Sequence, residues 1–96
     1  MSYALSIDLE QPFEEVVTKV KEALAANGFG IVAEVPMSNI LRDKIGVEIE
    51  DQVILGACNP RMAHKALSVE PSIGLLLPCN VVVRRSAGVT VVEAIN

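Results

Sequence analysis

The 96-residue chain predicts an α+β fold: one domain over residues 1–96, in the order β-α-β-α-β-α-β-β, with helices packed on one face of a mixed sheet. Three observations predict it. Phe13, Val16, Val17, Val20, Ala23 and Leu24 recur at the i, i+3, i+4, i+7 spacing of a helix laid on a sheet. Val53 to Cys58 is apolar on both alternations, as a strand covered on two faces requires. The chain closes on two apolar runs, Cys79 to Arg85 and Val89 to Ile95, joined by Ser86-Ala87-Gly88, which read as an antiparallel hairpin.

Taken in order, Ala4 to Leu9 alternates polar and apolar residues and suits a first strand with one covered face. Pro12 stands where a first helical turn tolerates a missing N–H, and Glu14 and Glu15 lie near the positive end of the helix dipole. Asn27-Gly28 ends that helix, because glycine reaches positive φ without a Cβ clash. Gly30 to Val35 is a second strand stopped by Pro36, which has no N–H for a ladder. Ser38 reads as the cap of a short helix over Asn39–Ile45, closed by Gly46. Glu48, Glu50 and Asp51 interrupt any buried face and read as an acidic loop, without the alternating ligand spacing of a calcium loop.

Asn59-Pro60 starts a third helix, asparagine as cap and proline in the first turn. Met62, Ala63, Ala66, Leu67 and Val69 form its expected buried face, and it stops before Pro71. Ser72 to Leu77 reads as extended or irregular. Nothing after Ile95 covers the remaining surface, so the exposed sheet calls for a partner copy, and a homodimer is expected.

Composition narrows the function. Twelve acidic against eight basic residues leave a net charge of −4, and phosphate-backbone binding draws on clustered Lys and Arg, so no nucleic-acid partner is expected. The one basic pair, Arg84-Arg85, reads as a solvated strand end before a turn. The chain shows no basic n-region followed by an apolar run and no run long enough to span a membrane. A cytoplasmic location follows as the expectation, with both cysteines as thiols.

Chemistry-bearing residues gather between Val53 and Arg85, which holds both cysteines and the only histidine. Two apolar runs there each carry a Cys-Asn pair with a proline beside it. Cys58 precedes a helix start, where the dipole lowers a thiol pKa, but it equally suits a small apolar residue ending a buried strand. His64 follows one turn after Pro60, within reach as a base for Cys58, or stands as a half-exposed helix residue. Cys58, Cys79 and His64 make a soft-metal or redox set only if their strands are neighbours, and the paired C-x₂-C spacing of structural zinc is absent. Asn59 and Asn80 offer amides to a ligand, although capping accounts for Asn59. The glycines fit no phosphate-loop spacing.

At Ile54-Leu55-Gly56-Ala57-Cys58-Asn59-Pro60, Ala63-His64-Lys65-Ala66-Leu67 and Ile73-Gly74-Leu75-Leu76-Leu77-Pro78-Cys79-Asn80-Val81-Val82-Val83, the chain resembles domain-of-unknown-function family 302. The resemblance implies a small bacterial or archaeal α+β fold of the TATA-binding-protein-like type, with no established activity. It matches Cys58, Asn59, Pro60, Cys79 and Asn80 to the family's two motifs. It also implies a terminal helix after the hairpin, which this sequence lacks.

Three functions remain open. The first is a module binding a small ligand or metal near Cys58-Asn59 and Cys79-Asn80, with His64 as a further candidate. The second is a thiol enzyme or redox sensor using Cys58, and the third a homodimerisation domain with no ligand. The residues name no cofactor and no reaction.

Overall fold

The computed structural model describes residues 4–95; Met1 to Tyr3 and Asn96, the ends weighed above for a leader and a terminal helix, lie outside them. Strands run over Ala4–Leu9 (β1), Gly30–Val35 (β2), Gln52–Cys58 (β3), Cys79–Ser86 (β4) and Val89–Ile95 (β5). Helices run over Phe13–Ala26 (α1), Met37–Ile45 (α2) and Pro60–Val69 (α3), with a 3-10 helix at Pro71–Leu76. The α+β order is the one the sequence predicts.

The strands form one sheet in the order β1-β5-β4-β3-β2. Every pairing is antiparallel, where a mixed sheet was expected. The connections explain it, because neighbouring parallel strands need a crossover over a sheet face. Only α1 crosses the sheet, and it carries the chain from edge strand β1 to the opposite edge β2, so the strands it joins are not neighbours. The α2 segment and the α3–3-10 segment each leave and re-enter at one end of the sheet, as long hairpin connections do. Consequently α1 alone lies across a face, and the other helices sit at the two ends.

Alternation along the strands points Val53, Leu55 and Ala57 of β3 and Val81 and Val83 of β4 toward α1. Val16 and Val17 of α1 pack with Val53, Leu55 and Val83, and Phe13, Val20, Leu9, Ile31 and Val92 ring that cluster. Burying each such side chain contributes about 1.5–3 kcal/mol. The stripe predicted for α1 is therefore the face that builds the core.

Four local readings change. Ser38 is no cap: it sits inside α2, buried, and its Oγ accepts from the Gln52 amide at 3.1 Å and donates to the Gln52 carbonyl at 3.3 Å, tying α2 to β3. The extended segment 72–77 is instead mostly a 3-10 helix, whose first turn Glu70 caps by accepting from the Ser72 amide at 3.1 Å. No residue of α3 is buried, and Met62 and Val69 are 64% and 86% exposed. That helix packs mainly on the 3-10 helix, so its apolar stripe is only partly covered. The Arg84-Arg85 pair is half-buried rather than solvated. Arg84 Nε donates to Glu93 Oε1 at 2.7 Å, and that bond raises the guanidinium pKa. Arg85 Nη1 donates to Thr90 Oγ1 at 2.8 Å.

Candidate functional site

The two Cys-Asn pairs come to one end of the sheet. β3 and β4 are neighbours, with Ala57 opposite Cys79 and Gly56 opposite Asn80. The adjacency that a shared site requires is present, but the side chains do not converge. Cys79 lies opposite the buried Ala57 and shares the α1 face, whereas Cys58, one residue further along β3, points to the other face. Cys58 is half-buried and Cys79 exposed.

The other candidates have local roles. Asn59 caps α3, its Oδ1 accepting from the Met62 amide at 3.2 Å. Its side-chain nitrogen also stands 3.4 Å from where a Cβ on Gly28 would be, so the turn after α1 closes directly on the start of α3. His64 is exposed on α3, and its carbonyl accepts from Ser68 Oγ at 2.7 Å. Among the described residues, no hydrogen bond joins the His64 ring to either thiol, and no group of three His, Cys, Asp or Glu side chains is placed to hold a metal ion.

The principal concavity at this end is an apolar cleft of about 590 Å³. Leu24 and Phe29, from the end of α1 and the turn after it, form one wall. Ala57, Cys79, Val81, Ala94 and Ile95 of the sheet form the floor, and Leu76, Pro78 and Asn80 complete the rim. The cleft thus takes Cys79 and Asn80 from the predicted set and leaves out Cys58, Asn59 and His64. Among the described residues no charged residue lines it, and the Cys79 thiol is the polar side chain on its floor, since Asn80 lies opposite Gly56 and turns its side chain to the other face.

Gly56 shapes this entrance from below. A Cβ there would come within 2.8 Å of Pro78 Cγ and 3.1 Å of the Ala33 Cβ, so only glycine lets Pro78 settle against β3 and start β4 at Cys79. A lone glycine in an otherwise apolar strand run was the available signal for such a close approach. Leu24, Phe29 and Leu76 went unread as cleft residues. Phe29 alone carried a hint, as one of two phenylalanines in a chain with 3% aromatics placed just after a helix end.

Comparison with known proteins agrees with this architecture. A family model described as "Domain of unknown function DUF302" matches residues 5–96. A crystal structure of an uncharacterized conserved protein DUF302 from Bacillus stearothermophilus superposes with a TM-score of 0.91 at 26% sequence identity, covering 98% of this chain and 73% of that one. No curated protein matches the chain. Among the described residues, no helix is long and apolar enough to cross a membrane.

Proposed function

The chain belongs to the DUF302 family, and from that premise we propose that it is a small-molecule binding module whose site is the cleft above Cys79 and Asn80. The observation that carries this is the cleft itself: about 590 Å³, walled by Leu24, Phe29 and Leu76, with the neutral Cys79 thiol on its floor. Ligand sites are mostly apolar hollows of roughly 300–1,000 Å³ with a few polar groups that fix orientation. Its lining selects an uncharged, largely hydrophobic molecule with one polar or soft end. A carboxylate or phosphate would enter without a cation to meet it, at a desolvation cost of several kcal/mol.

Titration with N-phenyl-1-naphthylamine, an uncharged apolar fluorophore, tests this. Saturable enhancement at one probe per chain is expected, lost at least tenfold in Cys79→Trp, which fills the floor, and unchanged in Cys58→Ala. Linear, non-saturating fluorescence, or a Cys79→Trp titration that matches the unaltered protein, would remove the cleft as a binding site.

A further inference from the structure

We propose that the open half of the α1-side sheet face, over β1 and β5, is a two-fold interface with a second copy of this chain. Its basis is area. A compact 10.3-kDa monomer exposes about 5,350 Å² by the surface-to-mass relation, yet this chain exposes 6549 Å². The excess of roughly 1,200 Å² is above the ~800 Å² per partner that a standard stable interface buries. The radius of gyration, 14.6 Å, likewise exceeds the ~12.5 Å of a compact chain of this length.

Part of the exposed apolar surface lies on the half of the face that α1 leaves bare. Leu5 and Ile7 are each 58% exposed. Leu5 and Ile7 form a shallow hollow with Val92 and Ala94, and Ala94 also floors the ligand cleft, so the apolar surface is continuous across β1 and β5. Among the described residues, no charged side chain lines that hollow. In a chain of net charge −4, two copies approach with least repulsion on a neutral surface. A self-complementary patch of this kind closes by two-fold symmetry without leading to a filament.

The two edges of the sheet point the same way. β2 is interrupted by a register shift between Ile31 and Ala33 and is followed by Pro36, devices that blunt an edge. β1 pairs with β5 without a shift from Ala4 to Leu9 and contains neither Pro nor Lys. Among the described residues the β1 edge therefore carries fewer of these devices, with Asp8 its one charge.

Sedimentation equilibrium of the full chain at micromolar concentration tests the interface. A mass of twice 10.3 kDa is expected, with Ile7→Arg weakening self-association at least 100-fold while keeping the circular dichroism of the parent. Val69→Arg, on the exposed end of α3, should leave the dimer intact. A monomeric parent overturns the proposal, as does a dimer that survives Ile7→Arg. Should Ile7→Arg fail to fold, hydrogen exchange of the unaltered protein decides: amides of Ala4–Leu9 must gain protection with rising concentration, and concentration-independent exchange overturns the interface. Ile7 does not line the ligand cleft, so Ile7→Arg should leave fluorophore binding unchanged and the two proposals fail separately.

Discussion

Thr90 is fully buried, and its hydroxyl has two bonds: it donates to the Gln11 carbonyl at 2.8 Å and accepts from Arg85 Nη1 at 2.8 Å. Those bonds fasten the turn between β1 and α1 to the closing hairpin, across 79 residues of chain. Thr90→Val keeps the shape and removes the hydroxyl, leaving the Gln11 carbonyl short of its best donor and a guanidinium short of an acceptor. Unmet buried polar groups cost about 1–3 kcal/mol. Urea denaturation at fixed protein concentration should show that loss, with Thr90→Ser recovering most of it; a valine variant as stable as the parent would mean the hydroxyl is idle. Nothing in the sequence marks Thr90, because a threonine in a β-branched strand is also what strand propensity selects. The candidate site was partly legible on the same grounds. The two Cys-Asn pairs stood out in the sequence, but whether their strands are neighbours was left open by it, and which face each thiol takes depends on a one-residue offset that only the register fixes.

Elements were legible where one signal dominated. The α1 stripe and the five strand runs carried their own signal, whereas the placement of α3 depended on what lay opposite it, and Pro71–Leu76 offered one proline and a glycine with no period at all. The closing hairpin shows the limit more finely. Ser86 pairs with Val89, so the turn is the two residues Ala87 and Gly88, both at positive φ, +48° and +87°. That is the arrangement of a type I′ turn, which favours Asn-Gly. Alanine in the left-handed region costs about 1–2 kcal/mol, and asparagine tolerates it better. Ala87→Asn should therefore raise the unfolding free energy by roughly 0.5–1 kcal/mol, read as a higher urea midpoint with unchanged slope. A lower midpoint would show that the Ala87 methyl has a role that the turn geometry does not include.

At the scale of the molecule, stability is concentrated on one side. The core runs under α1 through Val16, Val17, Val53, Leu55 and Val83, while α3 and the 3-10 helix contribute no buried residue. Local opening free energies follow buried apolar contact, from near zero at unpacked segments up to the global value at core strands. Hydrogen exchange should accordingly divide the chain. Amides of Val53–Ala57 and Val81–Arg85 are expected to exchange only through global unfolding, and those of Pro60–Leu76 at least 100-fold faster, with Asn59 retaining α3 as a capped but undocked helix. Dimerisation over β1 and β5 leaves that contrast in place, since α3 lies outside the proposed interface. Saturating N-phenyl-1-naphthylamine should instead slow exchange around Leu76, the one residue of the 3-10 helix that lines the cleft. Equal protection of α3 and β3 in the free protein would mean that α3 is covered in solution, and would move the self-association surface from β1 to the end of the sheet where Met62 and Val69 now face solvent.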